Sequence, residues 1–517
     1  MIKVYIDNVY SRIVGTLPQV VVDDLYNTLS YELQNKYFIP KVRDGHWDGV
    51  IRLFDKNKGQ RFYTGLLGFV RDIFDKHGVE YIRVDNRNKP EQNLPELKFT
   101  PNEEYEEREY QQVSIKRGLS FTRGVFEIAT GGGKTTLVAE LISRIKTGPA
   151  IFFVPTKDLM DQAHSVLSSN LNTEIGMIGD GKCDIKDINV MIYASAIFSI
   201  KDKGTFKISD YVFDDEDTGW KNEDLDSQDK RYRIRELISS AQFVFFDECH
   251  HAASKTVLDI LSYAKSAYWR YGGSATPYRE ANDEILIQAM FGGKIVEINA
   301  SYLIKQGYLV KPDIFFVPVE VDVPYRQYST IYKHAVQDND DYNKQVANII
   351  NFFESRGLKN LIFVQRIPHG KNIKKHLKNE AYFLNGKLKS KDRESVLNDF
   401  RMGKYDTLVA TSLADEGLDV PSINTGVMAG LGKSKTRLYQ RVGRVIRVDR
   451  KAKEQLAIFI VFQIKCKFLQ THANNALAIL KDEPEFNIIK SKGIDCIIDE
   501  ISTLLKEKNK FIEIVKD

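Results

Sequence analysis

The sequence predicts an α/β protein in which two doubly wound parallel-sheet domains follow one another, with a small α+β domain before them and a helical tail after them. Short, continuous apolar runs alternate with segments of helical spacing over residues 105–300, and the same alternation returns over 345–465. Strands buried on both faces have this composition, and parallel sheets covered by helices contain such strands. The first 95 residues differ, because their first strand alternates apolar and polar residues.

Residues 1–95 are predicted to form the small α+β domain, and the polar residues that follow Val84 are predicted to form a linker. Apolar residues repeat with a period of two in strands and with helical spacing in helices. The expected strands are Lys3–Ile6, Val50–Phe54 and Tyr81–Val84, and the expected helices are Val22–Leu33 and Gly65–His77.

The two doubly wound domains are defined by their predicted strands. The strands in 105–300 are Val125–Ala129, Ala150–Val154, Val190–Tyr193, Phe243–Phe246 and Ala267–Gly272, and those in 345–465 are Asn360–Val364, Thr407–Ala410, Thr425–Ala429 and Ala457–Val461. We expect 301–344 to connect the two domains and 466–517 to form a helical, Lys-rich extension. Nine acidic residues and one lysine between Ser209 and Asp229 predict a solvated insertion in the first domain.

The composition is that of an ordinary globular protein. The formal net charge is only +4, so bulk charge indicates no particular partner. The four cysteines form no CxxC pair, which argues against a disulfide scaffold or a zinc site and favours a reducing, cytoplasmic compartment. The first residues lack the features of a signal peptide, and no apolar run has the length that a bilayer requires. We therefore expect no membrane attachment.

The first doubly wound domain carries a phosphate-binding loop. The sequence IATGGGKT (Ile128–Thr135) follows a predicted strand and opens a predicted helix. Glycines 131–133 allow backbone N–H groups to turn toward phosphate oxygens, and the helix N-terminus adds a positive dipole. Lys134 is expected to reach the phosphates, and the Thr135 hydroxyl is expected to ligate Mg²⁺. The loop departs from the usual pattern, which has glycine or alanine where this chain has Ile128.

Two adjacent carboxylates end another predicted strand of the same series, in the sequence FVFFDECH (Phe243–His250). Asp247 is expected to hold Mg²⁺ directly or through water, and Glu248 is expected to orient and deprotonate the attacking water. A strand that merely ends in polar residues is the alternative. It does not explain why this strand follows a phosphate-binding loop in one series of strands and helices.

The DECH sequence at Asp247–His250 resembles motif II of superfamily 2 helicases of the DExH type. Other motifs of that family appear in order along the chain, before and after this one, and the resemblance covers about 105–450. The matching segments are Arg108–Gln111 (REYQ, the Q-type motif), Phe153–Lys157 (FVPTK, motif Ia), Tyr193–Ser195 (YAS, the next strand-binding motif), Ser274–Pro277 (SATP, motif III), Phe363–Gln365 (FVQ, motif IV), Ala410–Asp419 (ATSLADEGLD, motif V) and Gln440–Arg447 (QRVGRVIR, motif VI).

This resemblance implies two RecA-like domains that hydrolyse ATP with Mg²⁺ in a site completed across both. Nucleotide binding is then expected at Arg108, Gln111, Thr130, Gly131, Gly132, Gly133, Lys134, Thr135, Thr136, Gly417 and Asp419. Catalysis is expected at Lys134, Asp247, Glu248, Arg444 and Arg447, with Thr135 and Asp247 on the metal ion. The last two arginines are three apart, share a face if their segment is helical, and can stabilise charge on the transferring phosphoryl group. Coupling of the nucleotide state to the nucleic acid is expected at His250, Ser274, Thr276 and Gln440.

The resemblance also implies contacts to nucleic-acid phosphates along the tops of both domains. Such contacts fix position without reading sequence. The expected residues are Pro155, Thr156, Lys157, Ser195, Gln365, Arg366, Thr411 and Ser412. The basic residues around motif VI are interpreted as contacts to the DNA backbone, namely Lys433, Lys435, Arg437, Arg450 and Lys451.

The sequence GHWDGVIRLFD (Gly45–Asp55) resembles the accessory domain of phage UvsW-type helicases. Members of that family remodel branched DNA, such as forks, Holliday junctions and R-loops. The resemblance implies branched or forked DNA as the partner, a role in replication, recombination or repair, and the host cytoplasm as the location if the chain is viral. Trp47 and Arg52 are candidate DNA contacts, but Trp47 is equally suited to anchoring a turn between a helix and a strand.

Two other functions use the same motifs. The motor subunit of a restriction-type DNA translocase shares the motor core but normally sits beside nuclease or methyltransferase modules, and this sequence shows neither. An RNA helicase is also compatible, because the motifs do not fix the sugar. A binding module with an inactive ATP site is disfavoured, since Lys134, Asp247, Glu248 and Arg444 are all present.

Overall fold

The computed structural model describes residues 1–33, 36–57, 59–101, 108–201, 228–253, 255–277, 284–386, 388, 390–411, 423–448 and 455–514. The chain divides near Ile298 and Asn299 into two compact units. Among the helices of these residues, none combines the length and the apolarity that crossing a bilayer requires. Most of the predicted acidic insertion at 209–229 lies outside the described residues.

The first unit begins with a small α+β region. Its strands are β1 Ile2–Ile6, β2 Tyr10–Val14, β3 Ser30–Glu32, β4 Val50–Arg52, β5 Phe54–Asp55, β6 Arg61–Tyr63 and β7 Tyr81–Asp85, and its helices are α1 Gln19–Thr28, α2 Pro40–Arg43 and α3 Leu67–Lys76. Of these described strands, β5-β6-β2-β1-β7 form one sheet, and β3 pairs antiparallel with β4. The predicted helix Val22–Leu33 is wrong beyond Thr28, because Ser30–Glu32 extends to make that pair.

This small region shares an apolar core with the rest of the first unit. Val70 and Phe74 of α3 belong to the same buried cluster as Phe246 and Ile287. At Gly65 the backbones approach so closely that a Cβ atom would stand 2.1 Å from the carbonyl oxygen of Gln288. The α+β region is therefore packed against its neighbour and not merely tethered to it.

The predicted linker is likewise held against the first unit. Leu94 and Leu97 are buried in a second apolar cluster of that unit. Asn93 forms two hydrogen bonds of 2.7 Å with the backbone of Gly148, one through its amide nitrogen and one through its amide oxygen. The segment was predicted as a linker because it is polar, but its two leucines pack into the apolar cluster and hold the segment against the domain.

The remainder of the first unit is a doubly wound domain. Its strands are β8 Arg123–Ile128, β9 Ala150–Val154, β10 Gly176–Gly179, β11 Lys182–Asp184, β12 Ile188–Ile192, β13 Phe243–Asp247, β14 Trp269–Ser274 and β15 Lys294–Ile298, and its helices are α4 Glu109–Ser120, α5 Lys134–Ile145, α6 Lys157–Leu171, α7 Tyr193–Ile200, α8 Gln228–Ser240, α9 Lys255–Tyr263 and α10 Glu284–Phe291. The described strands form a sheet in the order β11-β10-β12-β9-β13-β14-β8-β15. Every pairing is parallel except that of β10 with β11.

Aromatic side chains fill both faces of the centre of this sheet. Phe152 stacks on Phe245 with ring centroids 5.1 Å apart, and Phe153 stacks on Phe246 at 4.3 Å. Because successive residues of a strand point to opposite faces, the two stacks lie on opposite sides of the sheet and belong to different apolar clusters. Burial on both faces explains the continuous apolar runs in the sequence.

The second unit contains a second doubly wound domain. Its strands are β16 Asp313–Val319, β17 Asn360–Phe363, β18 Tyr382–Leu384, β19 Thr407–Ala410, β20 Thr425–Met428, β21 Ile458–Ile464 and β22 Asn487–Lys490, and its helices are α11 Ala300–Lys305, α12 Tyr328–Tyr332, α13 Asp340–Glu354, α14 Ile367–Lys374, α15 Ser390–Arg401, α16 Lys435–Val445, α17 Leu469–Lys481 and α18 Ile497–Ile514. The described strands form a parallel sheet in the order β18-β19-β17-β20-β21-β16-β22. The predicted fold class, two tandem doubly wound domains with an α+β region and a helical tail, is confirmed.

The limits of the second domain differ from the predicted ones. Asp313–Val319 lies in the segment 301–344 that we assigned to a connection, yet it pairs with both β21 and β22 inside the sheet. Asn487–Lys490 lies in the predicted helical extension and adds the edge strand. Hydrogen bonding to β16 draws both segments into the domain, which therefore begins before 345 and ends after 465.

Candidate active site

The phosphate-binding loop joins β8 to α5. Gly131 and Gly133 have φ angles of 83° and 73°, a conformation that strains residues with a Cβ atom. At Gly133 a Cβ atom would also stand 2.9 Å from the Nε2 atom of Gln111. The Nζ atom of Lys134, the first residue of α5, lies 3.3 Å from the carbonyl oxygen of Ile128. The ammonium group therefore folds back over the loop, where backbone N–H groups and the helix dipole favour an anion.

The adjacent carboxylates lie at the end of β13. Asp247 is buried as the last residue of the strand, and its carbonyl oxygen accepts a hydrogen bond from the Tyr193 hydroxyl. Glu248 has a φ of 49°, which is rare for a residue with a side chain. Backbone strain of this kind is concentrated at functional sites. The chain therefore leaves the strand direction at the residue predicted to handle the attacking water.

Glu248 is held in a compact polar network with three residues that were predicted to act in coupling. Its Oε2 atom lies 3.2 Å from Nδ1 of His250 and accepts a hydrogen bond of 3.2 Å from the Ser274 hydroxyl. The same hydroxyl lies 3.1 Å from Nδ1 of His250 and accepts a 3.1 Å hydrogen bond from the backbone N–H of Thr276. Of the predicted coupling residues of the first unit, His250 and Ser274 thus contact the predicted catalytic carboxylate directly, and Thr276 is linked to it through Ser274.

This network fixes the charge of Glu248. Burial alone would raise the pKa of its carboxyl, but the hydrogen bond from His250 and the positive charge of Lys134 outweigh burial and lower this pKa to about 2. The carboxylate is therefore ionised near neutral pH. An ionised carboxylate beside an anion-binding loop can orient a water molecule through its lone pairs.

Sheet topology explains why these residues meet. The strands β13, β14 and β8 are neighbours and run parallel, so their carboxyl ends lie along one edge of the sheet. Ligands of doubly wound sheets bind at this edge. The structure brings together Gln111, Lys134, Glu248, His250, Ser274 and Thr276. Thr130, Gly132, Thr135 and Thr136 lie on the same loop and the first turn of α5, and Arg108 directly precedes α4.

The second unit holds the predicted arginines. Gln440 and Arg444 are buried in α16, whose N-terminus is capped by the Ser434 side chain. Arg444 and Arg447 were expected to share a face only if their segment is helical, and this condition is not met, because α16 ends at Val445 and Arg447 forms an isolated antiparallel bridge with Leu309. Gly417 and Asp419 lie outside the described residues.

Arg441 is a buried cation of motif VI that the sequence prediction passed over. Its guanidinium lies 5.1 Å from the ring centroid of Phe363 and 3.5 Å from the sulfur of Met428. It therefore joins α16 to the end of β17 and to β20. The only sequence signal was its place beside Gln440 in an otherwise familiar motif.

Two protein-family models match this chain, one in each of the two doubly wound domains. The family model described as type III restriction enzyme, res subunit, matches residues 104–279, and the helicase conserved C-terminal domain matches 342–449. The DNA helicase uvsW of Enterobacteria phage T4 is 24% identical over 447 residues, which cover 82% of this chain and 83% of that protein. The chain resembles superfamily 2 helicases of the UvsW type. Putative helicase 22 of a Sulfolobus islandicus filamentous virus is 25% identical over 69% of this chain.

A solved structure supports the fold of two tandem doubly wound domains. Saccharomyces cerevisiae Dbp5 bound to RNA and ADP BeF3 aligns over 77% of this chain and 93% of its own, with a TM-score of 0.53 and 16% identity. The chain spans 64% of the length of putative helicase 22 and 50% of the putative DNA 3'-5' helicase Rad25 of Haloarcula marismortui, which is 27% identical over 348 residues.

The helicase motifs assigned to nucleic acid in the first unit are partly engaged within the protein. Thr156 caps α6, because its hydroxyl accepts a 3.4 Å hydrogen bond from Leu159 N–H. Lys157 forms an ion pair with Asp180. Ser195 is buried within α7, so its hydroxyl does not face solvent in this structure, and its role as a strand contact stays a prediction. Pro155 lies at the carboxyl edge of the sheet, directly after β9.

The corresponding motifs of the second unit show a similar pattern. The Tyr328 hydroxyl donates a 3.1 Å hydrogen bond to Gln365, whose amide in turn donates to the Leu431 carbonyl, so the Gln365 side chain is committed within the protein. Arg366 lies 4.9 Å from the ring centroid of Tyr332. Thr411 directly follows β19, and Ser412 lies outside the described residues.

The predicted DNA contacts of Gly45–Asp55, Trp47 and Arg52, form polar contacts within that segment. The indole nitrogen of Trp47 donates a 3.2 Å hydrogen bond to the carbonyl oxygen of Val50. Arg52 forms a 2.7 Å ion pair with Asp48, which also accepts a 3.0 Å hydrogen bond from Val50 N–H. These contacts support the alternative that Trp47 anchors a turn.

Proposed function

We propose that this protein is an ATP-dependent DNA helicase or translocase that remodels branched DNA. The observation that carries the proposal is Glu248, an ionised carboxylate held by His250 and Ser274 beside the phosphate-binding loop. A helicase needs such a group to act on water, and it needs that group linked to the elements that respond to nucleic acid.

The loop suits a nucleoside triphosphate. Its glycines leave the space that a Cβ atom would fill, and Lys134 offers a cation over the loop. ATP bound there would supply the phosphoanhydride bond that breaks, and Mg²⁺ held through Thr135 and Asp247 would offset its negative charge. Glu248 would orient the attacking water and accept its proton, while Arg444 and Arg447 of motif VI remain our candidates for stabilising the transferring group.

The network also suits transmission of the nucleotide state. Any movement of Glu248 during hydrolysis reaches Ser274 through one hydrogen bond and the backbone of Thr276 through a second. Thr276 precedes Pro277 in the SATP sequence of motif III. Only two hydrogen bonds separate the carboxylate from Thr276. A displacement of Glu248 by about an ångström can therefore shift the loop after β14.

DNA is the proposed substrate, and branched DNA its preferred form. Support for DNA comes from the relatives, since the phage T4 and Haloarcula proteins both bear DNA helicase names. Support for branched DNA comes from the N-terminal α+β region, which two motor domains do not require. The runner-up is a restriction-type DNA translocase, favoured by the family model that matches 104–279.

ATP turnover measured with a panel of nucleic acids tests the proposal. The panel contains single-stranded DNA, blunt duplex, a fork, a four-way junction and single-stranded RNA, each at saturation, with Lys134→Ala as the inactive control. We expect stimulation by DNA above RNA, and strand separation or branch migration on forks and junctions but little on blunt duplex. Equal activity on blunt duplex and junctions would favour the restriction-type translocase, and stimulation by RNA alone would favour an RNA helicase.

A further inference from the structure

Two adjacent aromatic side chains of the N-terminal region are almost fully exposed. Tyr37 is 75% exposed and Phe38 is 86% exposed. Both belong to Lys36–Arg43 (KYFIPKVR), which we call the aromatic knuckle. Single exposed apolar residues are common on protein surfaces, but a contiguous exposed pair of large rings marks a surface that meets a partner.

The charge of the knuckle indicates the chemistry of that partner. Lys36 precedes the two rings, and Lys41 and Arg43 follow them. The Nζ atom of Lys36 lies 5.2 Å from the ring centroid of Tyr37 and pairs with Glu32, and Arg43 lies 3.5 Å from Asp44, so the exposed Lys41 and Arg43 are the cations that face solvent. Exposed aromatic rings flanked by cations are typical of surfaces that stack nucleic-acid bases and contact their phosphates.

The knuckle is fixed at its base by the GHWDG turn. Leu33 N–H donates a 3.0 Å hydrogen bond to the Gly49 carbonyl, and Trp47 N–H donates a 3.1 Å hydrogen bond to the Lys41 carbonyl. At Gly49 a Cβ atom would stand 2.6 Å from Cβ of Lys36, so only glycine fits there. The turn that resembles the UvsW-type accessory domain therefore holds the base of the knuckle, and Tyr37 and Phe38 project from that base into solvent.

We propose that the aromatic knuckle binds DNA by stacking unpaired bases on Tyr37 and Phe38, with Lys41 and Arg43 on the adjoining phosphates. This inference rests on the proposed function, because it takes DNA as the substrate. Stacking needs bases that are not paired, so the site would favour the branch point of a fork over the interior of a duplex. It assigns the preference for branched DNA to two side chains that neither the motor motifs nor the GHWDG turn contain.

The test uses the full chain and a fork that carries 2-aminopurine at the first unpaired position. The double variant Tyr37→Ala/Phe38→Ala should lose the change in 2-aminopurine fluorescence and bind the fork about tenfold more weakly. Phe38→Trp should retain both signals, since tryptophan also stacks. Tyr232→Ala, which removes a tyrosine of α8 that is 62% exposed, is the matched control and should behave as the wild type. Lys41→Ala/Arg43→Ala should lower the salt dependence of binding by about two in slope.

Two further measurements separate failure of this site from failure of the proposed function. If the wild type shows DNA-stimulated ATP turnover and the double variant binds the fork normally, the inference about the knuckle is overturned and the proposed function stands. A wild type that shows stacking but no DNA-stimulated turnover overturns the proposed function instead. Sedimentation tests a second copy of the chain as the occupant: a wild-type dimer that becomes monomeric in the double variant with unchanged fork affinity also overturns the inference.

Discussion

Glu248 and Trp47 both stand in short motifs, but their surroundings differ. Around Glu248, the neighbouring His250 and the distant Ser274 contact the carboxylate, and Lys134 from the start of α5 acts on it through its charge. Around Trp47, the polar groups bond to residues within a few positions along the chain. Long-range convergence of polar groups indicates chemistry, whereas short-range bonding indicates a turn.

The two regions also differ in what a substitution would disturb. At Glu248 a change removes a group that the rest of the fold does not need, so function should fall while stability holds. At Trp47 a change loosens a turn, so stability should fall while the motor continues. Measuring both ATP turnover and stability therefore separates residues that act in the reaction from residues that only hold the fold.

The largest effect is expected at the phosphate-binding loop. Lys134→Ala removes the cation that neutralises phosphate charge and should lower DNA-stimulated ATP turnover by about 10³-fold or more, with DNA binding retained. Lys116→Ala, an exposed lysine of α4, is the control and should be near normal. The measurements are steady-state ATPase rates and DNA binding by fluorescence anisotropy. Near-normal turnover in Lys134→Ala would show that this loop does not take part in ATP hydrolysis.

A smaller catalytic effect is expected in motif VI. Arg444→Ala should lower turnover by about 10²-fold and leave ATP affinity nearly unchanged, because a finger arginine acts on charge that develops during the reaction. Lys435→Ala should instead weaken DNA binding and reduce its salt slope by about one. Nucleotide affinity, turnover and salt titrations measured on both variants decide the assignment. Normal turnover with lost DNA binding in Arg444→Ala would reverse the two roles.

His369 is a buried residue that is expected to make the free energy of unfolding depend on pH. Burial lowers the pKa of His369 to about 3, and its Nδ1 atom lies 3.1 Å from the Tyr332 hydroxyl. The unfolded chain binds a proton near pH 6.5 that the folded chain does not accept until about pH 3, so the free energy of unfolding falls as pH drops through this interval.

His369→Asn should remove that dependence. We expect a loss of about 1–3 kcal/mol at pH 7 and a shallower fall in stability toward acid pH. Urea unfolding at pH 7 and at pH 5.5 measures both effects. Equal slopes in wild type and His369→Asn would show that His369 is not the titrating group.

The smallest effect is expected at the turn. Trp47→Phe removes one hydrogen bond and should cost about 1 kcal/mol of stability. DNA-stimulated ATP turnover should be unchanged, and fork affinity should stay within about twofold. Thermal unfolding and fork binding test this pair of outcomes. A loss of fork binding without a loss of stability would return Trp47 to the role of a direct DNA contact.

The shared core changes how the N-terminal region can be tested. Deleting residues 1–95 would expose the partners of Val70 and Phe74 on the motor domain and disrupt the packing at Gly65. Such a deletion lowers stability and activity together, so it cannot isolate a DNA contact. Substitutions at exposed positions, such as those of the aromatic knuckle, leave that core intact and give the cleaner comparison.

Much of the motor fold follows from apolar runs in the sequence. The predicted strands Ala150–Val154 and Thr407–Ala410 have the limits of β9 and β19, because burial on both faces leaves a continuous signal. The same signal was present at Asp313–Val319, but it was overlooked in a segment assigned to a connection. Asn487–Lys490 had no such signal, since an edge strand of four partly exposed residues depends on its partner.

The residues of the candidate site could be predicted from the sequence, but many of their hydrogen-bond and ion-pair partners could not. Motif spacing places Glu248 and Ser274 at the ends of the neighbouring strands β13 and β14, and Lys134 after the loop that follows β8, so their meeting follows from topology. Spacing does not reveal that Gln365 and Lys157 have partners within the protein, because those partners lie far away in sequence. It also missed Tyr37 and Phe38, since only the fold shows that these aromatic residues are exposed.

The most direct test of the account compares two glutamates of the first unit. Glu248→Gln should bind ATP and DNA but lose about 10³-fold or more of the DNA-stimulated turnover, because its amide cannot accept the proton of the attacking water. Glu127→Gln breaks a surface ion pair with Lys294 of 2.7 Å and should turn over ATP at nearly the wild-type rate. Near-normal turnover in Glu248→Gln would contradict the assignment of this network as the catalytic centre.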